Sequence, residues 1–202
     1  EGVEWVHHDG VGYAFPEHTT ICLSNQAQEG RWSDITDEKA VSDHAVSEDV
    51  FTLWLDHGHR SENASYQYVV APDVAVDTLA NRVRPIEILV NTRDVQAVKH
   101  EGLGICQIAF YNAGEVQVTE GTCVRMDSQG MVMVKMEEDR VVQVSVSDPS
   151  RRCSRATVTV SGIYESTADG VVAIPDEDRQ TTLLLVDLPQ DAYAGKSVTL
   201  KL

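Results

Sequence analysis

Apolar and polar residues alternate with a period of two through most of this 202-residue chain, and that period limits the fold more than any other feature. On a strand, successive side chains point to opposite faces, so a two-residue repeat buries one face and wets the other, which a helix of 3.6 residues per turn does not do. The run from Val3 to Phe15 is interrupted by Asp9-Gly10. That pair tolerates the positive φ angles of a type I′ turn, so two strands and a tight hairpin open the chain. Further strands are expected at Thr20 to Ser24, Val50 to Asp56, Tyr66 to Val70, Ile86 to Asn91, Gln96 to His100, Gly104 to Tyr111 and Glu115 to Val118. Others are expected at Thr122 to Met126, Met131 to Met136, Val141 to Val146, Ala156 to Ser161, Thr181 to Val186 and Ser197 to Leu202. Turn-forming clusters such as Asn112-Ala-Gly and Ser128-Gln-Gly separate them. The expected architecture is all-β and antiparallel.

Val74 to Arg82 alone shows helix-compatible spacing, with Asp73 placed to cap a first turn. It separates an aromatic-rich first part, which holds all three Trp residues, from a second part rich in Val and Met. We place the boundary near Arg84, giving domains 1–84 and 85–202. Alternation is already running at Val3 and Trp5 with Glu1 as first residue, so the chain reads as cut from something longer.

Composition removes several classes of function. Sixteen basic against 32 acidic side chains give a net charge of −16, which withholds the phosphate attraction of nucleic-acid binders and opposes adhesion to anionic lipid. No apolar run approaches the roughly 20 residues of a membrane-spanning helix. Neither nucleic acid nor membrane is an expected partner. The four cysteines, at 22, 106, 123 and 153, match no C-x-x-C pattern. They read as small buried hydrophobes, or, in an oxidising compartment, Cys106 and Cys123 are near enough in sequence to bridge neighbouring strands.

Local chemistry is sparse. His7 and His8 are adjacent on a strand and point apart, and Gly58 between His57 and His59 suggests a turn, so neither pair makes a metal site without a third ligand. No metal and no cofactor are expected. A G-x-S-x-G elbow, a Walker loop and a G-x-G-x-x-G fingerprint are all missing, and the acidic runs Glu137-Glu138 and Asp176-Glu-Asp178 read as solvated turns. The aromatics Trp5, Trp32, Trp54, Tyr13, Tyr66 and Tyr68 leave two readings open, packing in a core or stacking on sugar faces. The run Phe51-Thr-Leu-Trp-Leu favours burial on both faces. Asn63-Ala64-Ser65 is formally a glycosylation sequon.

Four segments, taken in order, resemble polysaccharide lyase family 8, which contains chondroitin AC, hyaluronate and xanthan lyases. They are Trp5-Val-His-His-Asp-Gly-Val-Gly-Tyr-Ala-Phe-Pro16; Gly30-Arg-Trp-Ser-Asp-Ile35; Leu55-Asp-His-Gly58 with Tyr66-Gln-Tyr-Val-Val-Ala-Pro72; and Ile88-Leu-Val-Asn-Thr92 with Gln96-Ala-Val-Lys-His100 and Phe110. The resemblance implies the end of a central β-sandwich followed by a smaller C-terminal β-sandwich domain. It further implies a large secreted or periplasmic enzyme whose N-terminal α/α toroid, a domain of the same protein, carries catalysis on an acidic polysaccharide. In such lyases a tyrosine takes the C5 proton of a uronic acid, an asparagine and a histidine stabilise its carboxylate, and the bond to O4 breaks by β-elimination.

No helical region of adequate length is expected here, so no catalytic residue is assigned; Tyr13 and His8 fall in the sandwich hairpin. A charge of −16 repels a polyanion, leaving this piece a structural or substrate-supporting role. Trp32, Arg31 and Asn25 are the candidates for a wall of the substrate cleft. The alternatives are a noncatalytic carbohydrate-binding β-sandwich module using the early aromatics, and a purely structural surface domain.

Overall fold

A computed structural model describes residues 3–17, 20–38, 42–165 and 168–202. The chain is almost entirely antiparallel β and divides into two compact units, Glu1–Leu79 and Ala80–Leu202.

In the first unit, β1 (Trp5–His8) and β2 (Val11–Ala14) form the expected hairpin. Asp9 and Gly10 sit at φ 45° and 76°, the left-handed pair that a type I′ turn requires. A separate ribbon pairs β3 (Ile21–Gly30) with β4 (Val46–Leu55), in register from Ile21 opposite Leu55 to Gly30 opposite Val46. Both strands run further than apolar alternation indicates, because their outer halves, Asn25–Gly30 and Val46–Asp49, are largely polar and pair by backbone alone. A short β5 (Val69–Ala71) adds to β2, making the order β1-β2-β5. Gly12 on β2 is required by close approach, since a Cβ there would meet the fully buried Leu79 side chain.

The expected helix at 74–82 is corrected to α1 (Leu79–Val83). Asp73 does not cap it. Asp73 takes φ 51° in a turn, after which the Val74 amide donates to the Gly10 carbonyl at 3.0 Å. That bond commits residues 73 and 74 to the hairpin before a helix can begin.

Eleven strands follow in the second unit: β6 (Ile86–Asn91), β7 (Val95–His100), β8 (Ile105–Phe110), β9 (Gly114–Thr119), β10 (Thr122–Met126), β11 (Gly130–Glu137), β12 (Arg140–Ser147), β13 (Arg155–Ser161), β14 (Val171–Asp176), β15 (Thr181–Asp187) and β16 (Val198–Lys201). They form a six-stranded sheet, β16-β12-β11-β8-β7-β6, and a five-stranded sheet, β14-β15-β13-β10-β9. Alternate residues of both sheets enter one core: Ile108 and Phe110, Val132 and Val134, Val144 and Val146 from the first, Val124 and Met126, Val158 and Val160, Leu184 and Val186 from the second. This is the two-layer solution for sheets with one apolar face. β14 is a strand that alternation does not reveal. It carries Pro175 and lies at a sheet edge, where a missing N–H costs no ladder bond.

All four cysteines are free, so the Cys106–Cys123 bridge is corrected. Cys106 points into the core from β8 of the six-stranded sheet. Cys123 lies on β10 of the other sheet, between the buried Thr122 and Val124, and so faces outward.

Candidate functional site

Charge is divided unevenly. Residues 1–79 hold 15 acidic and three basic side chains, which makes −12 of the total −16; residues 80–202 hold 17 and 13, which makes −4. Among the described residues, the first unit also carries five of the seven exposed Trp and Tyr side chains, the other two being Tyr111 and Tyr193. The core reading of the early aromatics does not hold for Trp5, Trp32, Trp54, Tyr66 or Tyr68, all of which are exposed.

Trp54, Tyr66 and Tyr68 border one groove of about 530 Å³ in the first unit, together with the aromatic side chains of Tyr13, Phe15, Phe51 and His57. β4 supplies Phe51 and Trp54, while Tyr66 and Tyr68 stand two residues apart ahead of β5. The Tyr66 and Tyr68 ring centroids are 6.3 Å apart with planes at 21°, and His57 lies 6.1 Å from Tyr66. At the inner end Tyr13 is 6.4 Å from Phe51, whose other face stacks on His8 at 4.1 Å and 10°. The Thr52 hydroxyl, the His57 imidazole and the tyrosine phenols supply hydrogen-bonding groups. Among the described residues the lining contains no Lys, Arg, Asp or Glu.

The histidines separate as strand geometry demands. His7 shares a 2.8 Å hydrogen bond between Nε2 and the Val74 carbonyl, on the opposite face from His8 against Phe51. Gly58 takes φ 73°, and its amide donates to Asp56 Oδ1 at 2.8 Å, so His57 and His59 flank a turn. Among the described residues no group of three His, Cys, Asp or Glu converges as a metal site.

The wall candidates occupy two places. Trp32 begins a single 3₁₀ turn, Trp32–Asp34, with Arg31 as its N-cap, at the tip of the β3–β4 ribbon. Both are exposed. Asn25 pairs with Phe51 within the ribbon, about 17 Å along the strand from Gly30, so the fold does not gather the three into one cluster.

The most perturbed carboxylate lies elsewhere, in the loop after β12. Asp148 is 3 % exposed. Burial alone would push its carboxyl up, but the Ser150 hydroxyl at 2.6 Å and the amides of Ser150, Arg152 and Cys153 at 2.9, 2.7 and 2.8 Å donate to it and hold it at about 2. Every donor belongs to its own loop, so the group is architectural. Its signal in the sequence is Asp148-Pro149, a turn-initiating pair.

These two folded units match two family models. Residues 1–83 match the super-sandwich domain of polysaccharide lyase family 8, and residues 87–162 match that family's C-terminal β-sandwich domain. Chondroitinase-AC of Pedobacter heparinus is 32 % identical over 203 residues, covering 100 % of this chain and 27 % of the relative. Xanthan lyase of Bacillus sp. strain GL1 is 32 % identical over 183 residues, covering 86 % and 19 %. A solved chondroitinase AC lyase, studied as enzyme–oligosaccharide complexes, superposes with a TM-score of 0.80 at 31 % identity, over 97 % of this chain and 27 % of that one. The chain therefore spans well under a third of the relatives it resembles. Matched by two of the family's β-domain models over residues 1–83 and 87–162, and along its whole length by a relative 32 % identical, the chain belongs to polysaccharide lyase family 8.

Proposed function

We propose that this chain is the noncatalytic β-portion of a secreted or periplasmic polysaccharide lyase that cleaves uronic-acid-containing glycans by β-elimination. The observation that carries the reading is that the family's two β-domain models match residues 1–83 and 87–162, while the whole chain aligns with only 27 % of the length of a chondroitinase-AC. Among the described residues the longest α-helix has five residues, too short to build an α/α toroid. In this reading, the tyrosine that removes the C5 proton and the asparagine and histidine that stabilise the carboxylate come from an N-terminal toroid of the same protein.

Charge supports that division of labour. A surface at −16 repels a polyanion, so the cations that collect substrate must lie outside this chain. The β-portion then buttresses the toroid, and the ribbon tip with Arg31 and Trp32 closes one wall of the cleft, with Asn25 further down the same arm.

Ultraviolet absorbance of the unsaturated uronate product tests the reading. The 202-residue chain should release none from hyaluronan, chondroitin or xanthan, whereas a longer natural polypeptide containing it should. Turnover by the chain alone would refute the division of labour. For the wall, Trp32→Ala in the longer enzyme should raise KM for polymer; a change in stability with polymer affinity unchanged would remove Trp32 from that role.

A further inference from the structure

We propose that the loop after β12 and the segment between β15 and β16 form a binding site for the carboxylate or sulfate groups of an acidic polysaccharide, carried by Arg151, Arg152, Lys196 and Tyr193. Hydrogen bonds hold the two segments together: the Leu188 amide donates to the Ser154 carbonyl at 2.8 Å, and the Gln190 side-chain amide donates to the Cys153 carbonyl at 3.2 Å. Asp148 sets the first segment, since the bonds it accepts from the amides of Arg152 and Cys153 fix the backbone from which both arginines project. The Arg151 stem and Nε then lie 3.5 and 3.6 Å from where a Cβ on Gly195 would sit, which brings Arg151 to the residue that precedes Lys196. The Lys196 ammonium in turn stands 5.8 Å from the centroid of the Tyr193 ring, which is 68 % exposed.

Charge selects the ligand class. In residues 80–202, Lys99, Arg125, Lys135, Arg155 and Arg179 each face a carboxylate at 2.7 to 3.9 Å, whereas Arg151, Arg152 and Lys196 face none among the described residues. The two residues of this unit outside the description, Ser166 and Thr167, are uncharged. Within the two segments the acids are Asp148, buried and taken up by donors of its own loop, and the exposed Asp191, so three cations stand against one free carboxylate. An aromatic face beside guanidinium groups fits an acidic sugar, whose ring offers C–H bonds to the aromatic and whose anionic group accepts hydrogen bonds from the arginines. The total of −16 opposes long-range approach, but charges more than about 8 Å apart are largely screened at physiological salt. Local groups therefore decide the contact with polymer that cations outside this chain have gathered. The choice of a polysaccharide rests on the lyase reading; the affinity for its anionic groups does not.

The test is an amide-resolved NMR titration of the 202-residue chain with hexasaccharides of chondroitin sulfate and hyaluronan, with sodium sulfate alone, and with N-acetylchitohexaose as the uncharged comparator. At least one acidic hexasaccharide should saturably shift the amides of Arg151, Arg152 and Tyr193 to Lys196, and its affinity should fall about tenfold between about 20 and 300 mM sodium chloride. Arg151→Gln and Arg152→Gln, which keep the backbone amides that tie the loop, should each weaken binding about threefold to fivefold, and the two together more than about tenfold. Tyr193→Ala should weaken the hexasaccharide and leave inorganic sulfate unchanged, while Arg179→Gln, on the turn after β14, should change neither. Absence of binding at low salt, insensitivity to salt or to both arginine substitutions, or equal binding of N-acetylchitohexaose would overturn the proposal. So would sulfate binding as tightly as either hexasaccharide, since that is oxyanion affinity without sugar recognition. Resistance of Arg151 and Arg152 to phenylglyoxal in a longer natural polypeptide containing the chain would also overturn it, because protein would then cover them. Binding is read without β-elimination, so its failure leaves the lyase assay standing, and a lyase assay that fails leaves this binding measurable.

Discussion

Asp148→Asn is the substitution whose effect is best defined by the geometry. The carboxylate accepts four hydrogen bonds from Ser150, Arg152 and Cys153, at 2.6 to 2.9 Å, while nearly out of contact with water. Its carboxyl sits at about 2 in the folded chain against an ordinary 3.8. That difference is worth about 2 kcal/mol of folding free energy. The group is depressed by folding, so its contribution is complete above about pH 5 and is lost as pH falls through about 2. An amide in its place keeps one acceptor and turns an NH₂ toward N–H donors. Urea unfolding should therefore show the variant less stable by about 2 kcal/mol or more at pH 5 to 7. The gap to the unsubstituted chain should narrow by more than about 1 kcal/mol at pH 2.5, because the other carboxylates titrate in both proteins and cancel. The readout must be strand circular dichroism, since Trp5, Trp32 and Trp54 all lie in the first unit and tryptophan emission does not report on Asp148. A gap that stays constant from pH 7 to pH 2.5 would refute the reasoning, because the cost would then owe nothing to the charge.

Three further outcomes follow from the second unit. Gly104→Ala should destabilise by about 2 kcal/mol or more in urea unfolding, because Gly104 holds φ 61° and a Cβ would collide with the Met136 carbonyl. Leu184→Ala, at a fully buried side chain on β15, should cost about 2–5 kcal/mol by the same measurement. Burial pushes the Cys106 thiol up to about 11, with Lys99 opposing and Glu87 adding to the shift. Mass spectrometry after iodoacetamide treatment of the native chain at pH 8 should therefore find Cys106 unmodified and the partly exposed Cys22 alkylated.

The sequence was most legible where a strand buries one face. Ile86–Asn91 and Thr122–Met126 fall where alternation places them, and Asp9-Gly10 makes the turn its composition demands. It was silent where pairing is made by backbone alone. Asn25 to Gly30 is polar and reads as loop, yet it completes β3 against β4. The outer half of that strand therefore lies between Asn25 and the Arg31–Trp32 tip. Pro175 hid β14, since a proline argues against a central strand and only the fold shows that this one is at an edge. Pro72-Asp73 looked like a helix start because sequence cannot show that the Gly10 carbonyl claims the next amide. The groove was legible as residue types, Tyr66 and Tyr68 at the spacing of one strand face, while their exposure was not.

Burial is distributed so unequally that the two units should differ in how readily they open. Among its described residues the second unit has a contiguous core of 24 buried side chains. Among the described residues of the first, the buried apolar ones are Ala14, Phe15, Ala71, Val74 and Leu79, none of them on the ribbon. A two-stranded ribbon with no fully buried apolar side chain among its described residues is marginal in water, so its hydrogen bonds should break at low free-energy cost. Amides of Phe51 to Leu55 should accordingly exchange with deuterium much faster than those of Val144, Val146 and Leu184. Phe51 and Trp54 line the groove, whereas Val46 to Asp49 lie on the far half of the same strand. Equal protection in both units would mean that the ribbon draws stability from contacts other than its burial.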